Sequence, residues 1–281
     1  LSLRTLIARS GPNSLDWVDE AFPDKILHLH SARPSGFSPR TPVVFVHHGV
    51  GRNGADYRDY WLDAAERHDL LVIAITCSEA HFPSYLHYHF GSLHNEDKSP
   101  NPRDRWTYGI VPRLFDALRA EGVTERTRYG QFGHSAGAQF IHRMLSFGYR
   151  DQVALAICAN AGTYAMPDLT IPWPFGLGET IVTPETLVPL LTFPITVMAG
   201  TEDTKTTGRH FPGGPRSMRQ GPTRYHRAHE YVRLGHEAAA ALGTRCAWTV
   251  TDVPGVGHDG RGMSRAAAPV AAAVLHGPTG G

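Results

Sequence analysis

"YGQFGHSAGAQF", residues 129–140, decides how the rest of the chain is read. A short strand-like lead-in runs into Gly133-His134-Ser135-Ala136-Gly137, and a helix-like run follows at once. A serine between two glycines, where a strand gives way to a helix, has the form of the Gly-x-Ser-x-Gly elbow. Side chains at the flanking positions would collide with strand and helix backbone, and the turn holds the hydroxyl out at the carboxyl edge of a sheet. The amino end of the following helix favours negative charge developing there. The alternative is a plain turn that contains a serine.

Working outward, short apolar runs alternate with helical patterns. KILHLHS (25–31), TPVVFVHH (41–48), LLVIAITC (70–77), RTRYGQFG (126–133), VALAICAN (153–160), FPITVMAG (193–200) and CAWTVTDV (246–253) read as strands. Residues 55–68, 110–122, 136–148, 225–243 and 262–277 have helical spacing. This alternation predicts an α/β fold, a mostly parallel central sheet with helices on both faces, in one domain over residues 1–281. Two long connections, 78–106 and 161–192, are rich in aromatic residues. Loops of that length in a compact domain are usually functional, and both are expected to cover the site.

The 281 residues are 41% hydrophobic, enough for one large core. With 27 basic and 26 acidic residues the formal charge is +1, which points away from nucleic acid as a partner. No run is apolar for long enough to span a membrane. Cys77, Cys158 and Cys246 sit in apolar runs without metal-type spacing and read as buried free thiols that fix no compartment. The chain starts Leu1-Ser2-Leu3 without Met, which reads as the loss or omission of an upstream segment and leaves secretion open.

A serine hydroxyl is a weak nucleophile until a base takes its proton. In chain order, serine, acid, histidine, the candidates are Asp203 in VMAGTEDT and His258 in VPGVGHDG, each just past a predicted strand. Ligand sites of open α/β sheets form at that edge. Glu202 is the alternative acid; Asp252, inside its strand, and Asp259, next to the base, fit less well. Acyl transfer also needs fixed donors for the developing oxyanion. The N–H of Ala136 follows the serine, and the N–H of Val50, in FVHHGVGRNG (45–54), is the second candidate. The same loop matches a loose Gly-x-Gly-x-x-Gly phosphate pattern at 49–54, but no acidic residue stands where that motif needs one.

Taken together, HHGVGRNGADYRDYW, GHSAGAQFIHRML, ANAGTYAMPD, GTEDT and PGVGHD make the chain resemble the serine α/β-hydrolases, and among them the polyhydroxybutyrate-depolymerase and feruloyl-esterase-like group. The motifs run in family order across residues 40 to 265. The resemblance implies Ser135 as nucleophile, Asp203 as acid, His258 as base, and Val50 with Ala136 as oxyanion donors. It implies cleavage of a small or oligomeric carboxylic ester, of polyester or hydroxycinnamoyl type, through an acyl-enzyme and without cofactor or metal. Amide or β-diketone carbon–carbon hydrolysis on the same triad is the alternative reading, and a non-catalytic binding protein of the same fold is the other.

Three further features carry expectations. His81, His87, His89 and His94 could ligate a metal, with His87 and His89 on one face of an extended segment; a polar wall beside the nucleophile is the preferred reading. Tyr164, Trp173 and Phe175, in the loop after VALAICAN, are expected to wall an apolar substrate pocket, with simple packing as the alternative. Arg209, Arg216, Arg219, Arg224 and Arg227 could face an acidic substrate group, although a solvated basic face explains them as well.

Overall fold

The computed structural model describes residues 2–277. Its strands are β1 (Gly11–Val18), β2 (Ile26–Arg33), β3 (Val43–His47), β4 (Leu71–Thr76), β5 (Tyr129–His134), β6 (Val153–Ala159), β7 (Thr196–Gly200) and β8 (Thr249–Val253). Its helices are α1 (Gly54–Tyr60), α2 (Leu62–His68), α3 (Ile110–Ala120), α4 (Ala136–Ser146), α5 (Pro184–Thr192), α6 (Pro215–Met218), α7 (Arg224–Ala241) and α8 (Gly260–Leu275). The strands form one sheet in the order β1-β2-β4-β3-β5-β6-β7-β8. β1 and β2 are antiparallel, as are β2 and β4; every other neighbouring pair is parallel.

Successive strand residues point to opposite faces, so the continuous apolar runs supply two cores at once. Val43, Phe45, Leu71, Ile73 and Ile75 face a core shared with α3, α4, α5 and α7. Val44, Val46, Val72 and Ala74 face the core under α1, α2 and α8.

Where the structure departs from the sequence reading, local chemistry explains it. β1 was not expected: GPNSLDWV is rich in turn residues, and as the outer strand it buries only Asn13 and Leu15. The helix expected over 55–68 breaks at the buried Trp61, whose φ of −104° and ψ of −2° end α1 and start α2. The connection 161–192 contains α5, opened by Pro184 at its first position and a reciprocal capping box between Thr183 and Thr186. β8 begins at Thr249 rather than residue 246, because Trp248 is turned into the core, its indole N–H donating to the Leu190 carbonyl at 3.1 Å.

Cys77 and Cys158 are buried, Cys246 is half-buried, and all three are free thiols. No helix among the described residues is long and apolar enough to cross a membrane.

Candidate active site

Ser135 links β5 to α4 with φ 56° and ψ −114°, a positive φ that a residue with a side chain rarely adopts. The flanking glycines are demanded by contact. A Cβ on Gly133 would lie 2.3 Å from the Gly137 carbonyl carbon, and one on Gly137 would lie 2.2 Å from the His47 carbonyl oxygen at the end of β3. The turn is held from the next strand, the Ser135 N–H donating to the Ala159 carbonyl at 2.9 Å.

The three residues picked from the sequence meet at the carboxyl edge of the sheet. Ser135 Oγ lies 3.1 Å from His258 Nε2, and His258 Nδ1 lies 2.7 Å from Asp203 Oδ2. A carboxylate cannot donate, so Nδ1 carries the proton and Nε2 is left to accept from the serine. Asp203 is fully buried, whereas the His258 side chain is 26% exposed. Glu202 is exposed, its backbone N–H donates to the Val256 carbonyl, and it is Asp203 that bonds the imidazole. Asp252 is engaged with His229 and Tyr225 on the surface, and Asp259 caps α8.

Beside the serine, the loop after β3 passes close: a Cβ on Gly49 would stand 3.6 Å from Ser135 Cβ. Val50 follows with an exposed side chain, and Ala136 opens α4, where the first N–H groups lack intrahelical acceptors. Several buried residues brace this loop. His48 Nδ1 is 2.7 Å from the Gly49 carbonyl, so it must carry the proton, and His48 Nε2 accepts from the Cys77 N–H at 3.1 Å. Burial pushes the His48 pKa down to about 3, so this bridge stays neutral. Tyr88 donates to the His48 carbonyl at 2.7 Å. Arg52 donates to the carbonyls of Cys77, Phe82 and Ser84 and lies over the Tyr88 ring, pinning the loop to the 78–106 connection. The His134 ring lies 4.6 Å from the His258 ring, tilted by 40°, and is hydrogen-bonded through Nδ1 to the Tyr57 hydroxyl at 2.7 Å. Burial, with His258 second, holds the His134 pKa well below the ordinary value, so His134 stays neutral beside His258.

Sequence reasoning missed these braces, and it misplaced part of the arginine-rich stretch. Arg224 and Arg227 are buried rather than solvated. Arg224 contacts the second oxygen of Asp203 at 3.4 Å and donates to the His210 carbonyl at 2.8 Å. Arg227 donates to the Gly162 carbonyl at 2.7 Å, and Phe211 packs against both guanidinium groups. Arg209, Arg216 and Arg219 are exposed.

Tyr164 is a correction: it is fully buried, stacked 4.4 Å from Tyr231, and packs in the core instead of lining a pocket. Trp173 and Phe175 are half-buried. Trp173 lies over the guanidinium of the buried Arg143, which bonds Gln139 one turn beyond Ser135. The extended segment expected to align His87 and His89 is a series of turns. His87 donates to the Pro83 carbonyl, and His89 is buried among Tyr85, Tyr88 and Phe90. Among the described residues no group of three or more His, Cys, Asp or Glu is arranged to hold a metal ion. A separate groove of about 710 Å³ runs along α7 and is lined by none of the triad candidates. Its histidines are engaged: His226 with Thr223, His229 with Asp252, and His236 with the Trp248 carbonyl.

A strained serine at a strand-to-helix turn, faced by a histidine from the far side of a mostly parallel sheet, defines an α/β-hydrolase. Comparison with solved structures gives the same family. LpqC, a poly(3-hydroxybutyrate) depolymerase from Bordetella parapertussis, is 39% identical, covers 94% of this chain and 91% of its own, and superposes with a TM-score of 0.89. Poly(aspartic acid) hydrolase-1 from Sphingomonas sp. KT-1 is 32% identical over 94% of this chain and 99% of its own, with a TM-score of 0.90. An S-formylglutathione hydrolase from Agrobacterium tumefaciens, 15% identical over 94% of this chain and 95% of its own, shares the fold at a TM-score of 0.61. No family model and no curated protein matches the chain. The chain belongs to the α/β-hydrolase family and is a serine hydrolase of the esterase and depolymerase kind.

Proposed function

We propose that the protein cleaves carboxylic esters through an acyl-enzyme on Ser135. The observation that carries this reading is the unbroken chain from Ser135 Oγ to His258 Nε2 at 3.1 Å and from His258 Nδ1 to Asp203 at 2.7 Å. Ser135 Oγ attacks the carbonyl carbon as its proton passes to His258 Nε2, and Asp203 stabilises the imidazolium so formed. The N–H groups of Val50 and Ala136 receive the oxyanion. Collapse expels the alcohol, which takes the proton from His258. Water then gives a proton to the same imidazole, attacks the acyl carbon and releases the acid, and the proton returns to Ser135.

Trp173 and Phe175 supply apolar surface for the acyl or alcohol part, which suits a hydroxyalkanoate oligomer or an aromatic ester. The name of the 39% identical relative supports the polyester reading. Amide cleavage on the same residues is a second reading, favoured by the name of the relative at 32% identity. A panel of p-nitrophenyl esters, 3-hydroxybutyrate oligomers, feruloyl esters and poly(aspartic acid) separates these. Ester turnover that survives in Ser135→Ala, or a fluorophosphonate probe that labels another residue, overturns the mechanism. Turnover of poly(aspartic acid) without ester turnover overturns the substrate reading alone.

A further inference from the structure

Asn160 takes no part in the chemistry just described, yet its side chain bonds the backbone beside both Asp203 and His258. It follows β6 directly, is buried, and holds φ at +48°. Asparagine is one of the few residues with a side chain that tolerates this region. The preceding residue, Ala159, accepts the Ser135 N–H at 2.9 Å. The Asn160 N–H donates to the Met198 carbonyl on β7 at 3.0 Å. Its side chain then divides: Oδ1 accepts from the Gly200 N–H at 2.8 Å, three residues before Asp203, and Nδ2 donates to the Gly257 carbonyl at 2.9 Å, immediately before His258. One residue therefore bonds the acid loop and the base loop while its neighbour bonds the nucleophile.

We infer that Asn160 is a positioning residue that sets the base and acid loops in register with Ser135. The inference rests on the Ser135–His258–Asp203 reading. The alternatives for these bonds are thin. The acid and base loops bond each other, the Glu202 N–H to the Val256 carbonyl at 3.0 Å and the Gly255 N–H to the Thr201 hydroxyl at 3.0 Å. Those contacts fix the two loops to one another but not to the elbow. β6 and β7 are joined by their own ladder up to Ala159 and Met198, and beyond its end the Asn160 side chain, rooted on the strand next to the nucleophile, makes that connection. Without it the pair of loops can shift as a unit, opening the 3.1 Å contact between His258 and Ser135 while the 2.7 Å contact between His258 and Asp203 survives.

The test uses the intact protein and two variants. Asn160→Gly keeps the positive φ unstrained and deletes both side-chain bonds. Asn160→Asp is isosteric, keeps an acceptor for Gly200, and replaces the donor that faces Gly257 with an oxygen. A displacement near 1 Å at a reacting group costs up to about 100-fold in rate. Asn160→Gly should lower kcat on a p-nitrophenyl ester by about 10- to 100-fold with KM within about threefold, and slow fluorophosphonate labelling of Ser135 in proportion. Asn160→Asp should resemble it in kcat, because the lost half is the bond to the base loop. Ser31→Ala removes a buried hydrogen bond from β2 to the Leu6 carbonyl in the N-terminal turn, and serves as the control for lost stability alone. It should lower the melting temperature and leave kcat unchanged. The downfield proton of the His258–Asp203 hydrogen bond should persist in both Asn160 variants. Wild-type kcat in Asn160→Gly, or an equal kcat loss in Ser31→Ala, overturns the inference. If Asn160→Gly does not fold, Asn160→Asp decides it by the same kcat criterion. Ester turnover in Ser135→Ala would instead overturn the underlying site reading, whatever the Asn160 variants do.

Discussion

Gly137→Ala tests the elbow through its tightest contact. The added methyl would stand 2.2 Å from the His47 carbonyl oxygen and 2.7 Å from its carbon, where real Cβ contacts essentially never fall below 3.0 Å. Relief therefore requires a shift of about 0.8 Å between α4 and the end of β3. Both sides of that contact lead to candidate site residues: α4 begins at the residue after Ser135, and His47 leads into the loop that holds Val50. A shift of this size should cost up to about 100-fold in kcat/KM. Overpacking a tight interior contact should cost about 1–3 kcal/mol of stability, somewhat offset by alanine's better helix propensity. The assay is kcat/KM on p-nitrophenyl acetate, with urea unfolding in parallel. A variant with wild-type kcat/KM and an unchanged urea midpoint would refute the account of why glycine stands there.

Four other outcomes are expected. Asp203→Asn should cost orders of magnitude in kcat and Glu202→Gln little, since only Asp203 reaches His258; the reverse ranking in steady-state kinetics would name the other carboxylate. Arg224→Gln should lower kcat more than it raises KM, because the guanidinium holds the second oxygen of Asp203, and Arg224→Lys should recover part of the loss. Trp173→Ala should change the ratio of kcat/KM between long and short esters by about 1–3 kcal/mol, whereas Tyr164→Ala should lower the melting temperature with that ratio intact. Stability should fall on acidification: burial depresses the pKa of His47 to about 4 and of His48 to about 3, from 6.5. The unfolded chain then takes up protons that the native state refuses, so stability is complete above about pH 6.5 and is lost as pH falls toward 4 and 3, by about 1.4 kcal/mol per pH unit for each histidine. Urea midpoints that stay level from pH 7 to pH 4.5 would contradict this.

The parts of the fold legible in the sequence were those with a period or a motif. β3, β4, β6 and β7 are apolar because both faces are covered, and Asp203 follows such a run, whereas Ser135 was legible from its flanking glycines. β1 was illegible because an outer strand needs little burial and its residues favour turns. α5 was hidden by two prolines, although Thr183-Pro184 is a helix start. Arg224 and Asn160 left no local mark. Their meaning comes from partners far along the chain, at residues 203, 200 and 257, and only the packed sheet brings those together. Tyr164 was misread for a related reason: an aromatic residue in a long loop looks the same whether it faces solvent or a neighbouring helix.

β8 has consequences for how the protein fails. It is the outermost strand of the described sheet on its side, four of its five residues are not fully buried, and it bonds only β7. His258 follows five residues after it, whereas Ser135 follows β5, which has partners on both sides. Sheets loosen from their margins inward, because marginal strands open at a smaller free-energy cost than central ones. On that side of the sheet, mild heat or denaturant is expected to detach His258 from Ser135 while Ser135 stays in place. Activity should then be lost before the sheet unfolds, and should return on cooling as long as the centre of the sheet holds.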